Sequence, residues 1–345
     1  MRIACIAYYL PPVDRIGAGF QMHYLANAYT RAGHEVMMFS PYAENQKAID
    51  ALYTMKAVPI GRKNRTFQFA WNLRKEDFSG FDVLHAGSDD YWLFGKKRPY
   101  HIRTFMGSCI AEAIHIKGLR SKIRMAVLGA SEVASCFIAE RKVCISKDTL
   151  KYCPTVHEVI GCGVDTHLFR PGTMKSSHPT ILFIGTMHER KRGAELLKAF
   201  QEKVLPVLPD AELWIVREPH PVEAKGVKWF GPVETSQLIE LYQKAWVFCL
   251  PSSYEGFGVP YIEAMASGTA IVATPNAGAM EVLENGKYGV IADLPDLGDS
   301  LLALLQNGEE RERLARQGIE QSRKYSWDGI IEAYLNPLLY KSKGK

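Results

Sequence analysis

The sequence predicts an α/β protein of two domains in series, each a parallel sheet flanked by helices. Three observations carry this. The chain has 345 residues, against a usual ~100–200 per domain. Apolar strand-like runs alternate with helix-forming segments, the pattern of a parallel sheet. That alternation breaks in a polar stretch at 166–179, THLFRPGTMKSSHP, and then restarts.

Taken in order, IACIAYY reads as the first strand. A loop with Gly17 and Gly19 follows, then FQMHYLANAYTRAG, apolar at helical spacing and closed by Gly33. EVMMFS is a second strand, which completes a βαβ opening. FDVLHAG, RPYHIRTFMG and RKVCIS read as further strands. The segment 166–179, with Pro171, Gly172 and Pro179, fits an interdomain linker. Beyond it, TILFIG is a buried strand and GAELLKAFQEKVL a helix. AELWIV, WVFCLPS and TAIVATP are strands, and SQLIELYQKA is a helix. Two such units put a cleft between them, and ligands in these sheets bind beyond the carboxyl ends of the strands.

Composition narrows the class. No run of ~18 apolar residues is present, which argues against a membrane span. The opening MRIACIAYYLPP lacks a small-residue cleavage site and reads as a strand rather than a signal segment. Seven cysteines, at 5, 109, 136, 144, 153, 162 and 249, include no C-x-x-C pair. That favours a reducing cytoplasm over a disulfide framework or zinc ribbon. The net charge of +5 divides into +8 over residues 1–170 and −3 over the remainder. A basic first half suits an anionic partner or a membrane surface.

The chemistry concentrates in PSSYEGFGVPYIEAMASG, residues 251–268. The strand-like WVFCL leads into a turn in which Gly256 and Gly258 permit close backbone approach to a ligand. Pro260 suits the start of a helix. The amides of Gly258 and Val259 would lie at that helix's N-terminus, a natural phosphate site. Glu263, a turn further in, repels a phosphate but can accept hydrogen bonds from two sugar hydroxyls. Together these describe a nucleoside ribose diphosphate; an acid-capped loop-to-helix junction is the plainer alternative. In IGTMHERKRG, a strand ends at Gly185, and Arg190, Lys191 and Arg192 follow. Cations there suit a diphosphate, although by itself the stretch reads more readily as a solvated basic loop. RIGAGF matches a dinucleotide fingerprint only in part, because Met22 stands where a third glycine belongs. No acidic residue closes the second strand, so a dinucleotide dehydrogenase is a distant reading.

These residues carry a resemblance. PSSYEGFGVPYIEAMASGTAIVAT resembles the E-x7-E signature of retaining glycosyltransferases of the GT-B fold, family 4, with Glu255 and Glu263 at its spacing. GAGFQMHYLANAYTRAGHEV is similar to that family's first loop and helix, and VIGCGVDTHLFRP to its entry into the second domain. GTMHERKRGAELLKAF resembles its diphosphate loop, and VKWFGPVETSQLIELYQKAWVFCLPS the approach to the signature. The resemblance implies two Rossmann-like parallel-sheet domains facing a cleft: 1–168 for the acceptor, 169–326 for the nucleotide sugar, and 327–345 as a helix crossing back. Glu263 would hold the ribose. Glu255 and the backbone of Gly256, Phe257, Gly258 and Val259 would hold the sugar and its phosphate. Arg190 and Lys191 would neutralise the diphosphate, Gly17 and Gly19 would approach it from the other domain, and the backbone near Val233 would meet the base. Gly185 ends the diphosphate strand. The implied reaction is sugar transfer to a glycan, lipid-linked or small-molecule hydroxyl, with closure about 166–179.

No cofactor and no metal are expected, and SDD at 88–90 is taken as loop acid. The donor is of UDP or GDP type, the sequence not distinguishing them. The family's His-Gly near the donor sugar is here Met106-Gly107. A thioether is a weak acceptor, so the donor sugar lacks or hides that hydroxyl, or another residue takes over. His85 is a candidate for the same pocket, with a satisfied core histidine as the alternative. A sugar-nucleotide epimerase, a phosphorylase and a non-catalytic binding protein are the competing classes. The segment 114–130 places Ile116, Leu119, Ile123 and Val127 on one stripe beside Lys117, Arg120 and Arg124. It suggests either peripheral contact with the inner face of the membrane or an apolar stripe packed on the core. Nucleic acid is not an expected partner.

Overall fold

The computed structural model describes residues 1–14, 16–115, 118–217 and 223–342. They form two compact units, Met1–Gly163 with Ile330–Lys345, and Val164–Gly329.

The first unit contains β1 (Arg2–Ile6), α1 (Gly17–Arg31), β2 (Glu35–Ser40), β3 (Thr54–Ala57), α2 (Arg65–Leu73) and β4 (Val83–Ala86). It continues through β5 (Tyr100–Phe105), α3 (Cys109–His115), α4 (Leu119–Ser135), β6 (Arg141–Cys144), α5 (Lys147–Leu150) and β7 (Glu158–Val159). All strands pair in parallel, in the order β3-β2-β1-β4-β5-β6-β7. A parallel sheet covered on both faces demands continuous apolar strands. Ile3, Ala4, Cys5 and Ile6 of β1 are accordingly all fully buried.

The second unit contains β8 (Thr180–Ile184), α6 (Gly193–Ala199), β9 (Glu212–Val216), β10 (Val227–Phe230), α7 (Thr235–Lys244) and β11 (Val247–Leu250). There follow α8 (Val259–Ala266), β12 (Ala270–Ala273), α9 (Ala277–Val282), β13 (Val290–Ile291), α10 (Leu297–Gln306) and α11 (Gly308–Ser322). The last helix, α12 (Trp327–Ser342), begins in this unit, and its residues from Ile330 on belong to the first. The sheet order is β10-β9-β8-β11-β12-β13, again all parallel. In each sheet the chain reverses its direction of growth beside the first-formed strand. Crevices at the carboxyl ends there are the usual ligand sites.

The stretch expected as a linker is laid along the second unit. Gln243 donates to the Arg170 carbonyl, Lys175 to the Ala245 carbonyl and Thr269, and Trp246 to the Ser176 carbonyl. The unit's edge falls at Val164, which bridges Ser326 in parallel and donates its amide to Tyr325 O at 2.8 Å. The first unit's hold on α12 is specific: Tyr334 accepts from Thr104 at 3.0 Å, and Arg141 donates to the carbonyls of Ala333 and Tyr334.

Candidate active site

A charge cluster lies in the second unit, where β8 and β11 end side by side. The register pairs Ile181 with Val247, so the loops after Ile184 and Leu250 leave the sheet as neighbours. The first loop carries Arg190 and Lys191, the second Glu255. One carboxylate oxygen of Glu255 accepts from Lys191 at 2.7 Å and from Arg190 at 2.9 Å. Arg190 also donates to Tyr254 O, and its own carbonyl accepts from the Ser253 amide at 2.8 Å. The two loops are thus stapled by side chain and backbone together. Glu255 is 6% exposed, while the side chains of Lys191 and Arg190 are 18% and 53% exposed.

Burial pushes the Glu255 carboxyl up, but Lys191 and Arg190 outweigh it and hold it below the ordinary value. Burial also depresses the Lys191 ammonium, which Glu255 only partly restores while Arg190 repels it. Two cations converge here on one buried carboxylate. The arrangement holds them in place and leaves Arg190 open to an anion.

The turn after Glu255 is shaped by two glycines. Gly258 has φ +93°, and a Cβ there would run into the Tyr261 ring. Gly278, on α9, takes the Glu255–Phe257 loop directly against its backbone: a Cβ would lie 2.5 Å from Phe257 O. Its amide donates to Glu255 O at 3.0 Å. Gly258 ends the turn as the residue before α8, so Pro260 is the helix's second residue rather than its first. No side chain caps α8 at Gly258, and its first turn holds no acidic residue. Its first amides are a positive helix end suited to an anion. Phe257 is buried, with its ring 5.7 Å from that of Tyr325. Glu263 is half-buried and accepts from Tyr242 Oη at 2.9 Å. Burial raises its pKa, partly opposed by Tyr242, Arg217 and Lys191. Gly185 is buried, and a Cβ there would press on Phe183 and Lys191 at 2.9 and 3.1 Å. Val233 is half-buried between β10 and α7.

Among the first-unit expectations, the pocket reading of His85 is corrected. Gly19 is buried in the first turn of α1, where a Cβ would lie 2.7 Å from Tyr9 O, so its lack of a side chain lets the helix pack against the chain after β1. Gly17 is exposed at the start of α1, a helix end that no side chain caps. His85 does not line a pocket. It is fully buried, with Nδ1 bonded to Tyr29 Oη and Nε2 to Thr104 Oγ1 at 3.0 and 2.8 Å. Met106 and Gly107 are half-buried in the loop that follows β5. Asp90 of SDD is engaged by Ser135 at 2.7 Å and by His101 at 3.1 Å.

The helix expected around 114–130 is α4, and Ile116 and Lys117 lie outside the described residues. Leu119, Ile123 and Val127 are exposed rather than packed on the core. The inward face is Met125 and Gly129, where a Cβ would meet Ile110 at 2.5 Å. Arg120, Lys122 and Arg124 are exposed beside the apolar stripe. Reading the sequence missed Arg217, the residue after β9, whose field reaches Glu263 and Lys191. The available signal was its position, one residue past a buried strand, the same relation that Gly185 has to β8.

Residues 165–321 match the family described as Glycosyl transferases group 1. A phosphatidyl-myo-inositol mannosyltransferase of Mycobacterium tuberculosis is 32% identical over 49% of this chain and 50% of its own length. The matched part is thus about half of that relative. The enzyme of the same name from Mycolicibacterium smegmatis is 25% identical over 96% of this chain and 91% of its own. Among solved structures, the sucrose-phosphate synthase of Thermosynechococcus elongatus superposes with a TM-score of 0.76 at 18% identity, covering 99% of each chain. A glycosyltransferase from Rickettsia africae gives 0.70 at 18%, covering 99% of this chain and 98% of its own. Residues 165–321 are therefore similar to the glycosyl transferases group 1 family, in a chain whose two parallel-sheet units have the GT-B fold.

Proposed function

We propose that the protein is a retaining, metal-independent glycosyltransferase that moves a sugar from a nucleoside-diphosphate sugar to an acceptor hydroxyl. The observation that carries the reading is the Arg190–Glu255–Lys191 cluster beside the open N-terminus of α8. The bond between the sugar's anomeric carbon and the diphosphate oxygen breaks, and its electron pair leaves with the diphosphate. Arg190, Lys191 and the first amides of α8 stabilise that developing charge. The acceptor oxygen attacks from the face the diphosphate leaves, and its proton passes to the departing phosphate oxygen. Glu263 accepts from the ribose hydroxyls. Glu255 acts chiefly by fixing the two cations, since one of its oxygens already serves both.

The test is direct. Donor panels of UDP- and GDP-sugars, each with inositol- and glycan-bearing acceptors, should release nucleoside diphosphate only when an acceptor is present. Turnover should persist in EDTA, and the product's anomeric configuration should match the donor's. Isomerised donor without acceptor would instead indicate an epimerase, and phosphate-dependent turnover a phosphorylase.

The acceptor side of the proposal is a lipid-borne hydroxyl at an anionic membrane surface. Its support is the exposed α4 stripe with Arg120, Lys122 and Arg124 alongside. Among the described residues no helix is long and apolar enough to cross a membrane. Relatives named phosphatidyl-myo-inositol mannosyltransferase carry a lipid acceptor in their name. The protein should sediment with vesicles containing anionic phospholipid and not with phosphatidylcholine alone. The double variant L119D/I123D should abolish that sedimentation without lowering the melting temperature; unchanged sedimentation would remove the membrane contact.

A further inference from the structure

The cluster as described is short of positive charge for the ligand assigned to it. Arg190 and Lys191 carry two charges, and Glu255, paired with both, cancels one of them. A nucleoside diphosphate brings one ionised oxygen on its inner phosphate and roughly two charges on its outer one.

Arg217 stands where the missing charge is needed. It follows β9, and β9 runs beside β8 in a register that pairs Ile184 with Val216. The Gly185 amide donates to Val216 O at 3.0 Å, so the chain just before Arg217 is tied to the glycine against which Lys191 packs. Its backbone is unusual. Arg217 has φ +73°, a left-handed conformation that few residues other than glycine adopt without cost. It is held there because its amide donates to Phe230 O and Gly231 O at 3.1 and 3.3 Å. The side chain is exposed and makes no hydrogen bond or ion pair among the described residues. Yet its charge acts on Lys191, Glu263 and Tyr242. A strained backbone that carries an arginine, unpaired among the described residues, to the end of β9 beside β8 marks a functional position rather than a packing one.

We propose that Arg217 is a third cation of the nucleotide site, contacting the diphosphate from the β9 side. The inference rests on the nucleotide reading of the cluster. It explains the conformation: the strain is retained because the turn aims a charge at the ligand.

The experiment is calorimetric titration of the full chain with UDP, GDP and the corresponding monophosphates, using wild type, R217Q and R217G. Glycine relieves the strained conformation, so R217G should melt a few degrees above wild type. It should nevertheless bind the favoured nucleoside diphosphate at least about tenfold more weakly, with a shallower dependence of affinity on salt. R217Q should show the same weakening. The monophosphate should lose less than the diphosphate in both variants. Wild-type binding that both variants keep at full strength overturns this inference and leaves the nucleotide reading standing. A wild-type chain that binds neither UDP nor GDP overturns both.

Discussion

At the scale of single residues, Glu255 organises the site. E255Q would leave Lys191 and Arg190 facing each other with their counter-charge gone. Breaking a buried pair costs about 3–5 kcal/mol. Arg190 is half exposed, so we expect about 2 kcal/mol here, read from urea unfolding. Transfer should fall at least about 100-fold, the size of losing one preorganised charge-stabilising group. His85 supplies a pH prediction. A histidine titrates near 6.5 when unfolded, but burial, with His101, Arg141 and Arg103 adding, holds it down to about 3 here. Below pH 6.5 the unfolded chain takes up a proton that the folded chain refuses. Stability should therefore fall as pH drops from 6.5 towards 3, by about 1.4 kcal/mol per pH unit from this group. In H85Q that part of the acid slope should be missing when unfolding midpoints are compared at pH 7, 5.5 and 4.5.

Among the elements, the loop before α8 depends on glycines in two different ways, and the difference is measurable. G278A drives a methyl to within 2.5 Å of the Phe257 carbonyl. It should cost about 1–3 kcal/mol, as overpacking does, and lower the melting temperature. A Cβ on Gly256 meets nothing nearer than Tyr254 Oη at 3.9 Å. G256A should thus keep its stability and lose nucleotide affinity, if the backbone there approaches the ligand as proposed. Equal stability losses in the two variants would speak against this division. The elements that set the site were legible in the sequence because they are buried parallel strands. TILFI, ELWIV and VFCL are near-continuous apolar runs ended by glycine, arginine or proline, and each became a strand. The strands it hid were β3, β7, β10 and β13, all at or near sheet edges. They are two to four residues long and half-exposed or exposed, so neither length nor alternation marks them. The chemistry was legible in part for a similar reason. Glu255, Arg190 and Lys191 flank glycines at strand ends, but that two cations share one carboxylate oxygen depends on strand register. Nothing in the linear spacing of His85 distinguishes a pocket wall from a core position satisfied by Tyr29 and Thr104.

Across the molecule, the last helix is stitched into the first unit although the second unit lies between them in sequence. Tyr334 is buried, bonds Thr104 and packs its ring 4.7 Å from His85. Y334A should cost about 3–5 kcal/mol, as deleting a buried aromatic does. The loss should fall on the unit formed by 1–163 and 330–345. Scanning calorimetry should show one transition moved down and the transition of 164–329 unmoved. The central claim is that the ends of β8 and β11 form a nucleoside diphosphate site. Its most direct test is the melting temperature of the wild-type chain with UDP and with GDP, against their nucleosides. At one hundred times its dissociation constant, a ligand adds about 2.7 kcal/mol. One of the two diphosphates should raise the melting temperature by several degrees in wild type and much less in K191A, while the nucleosides leave it unmoved. No shift with either diphosphate, or an equal shift in K191A, would contradict the account.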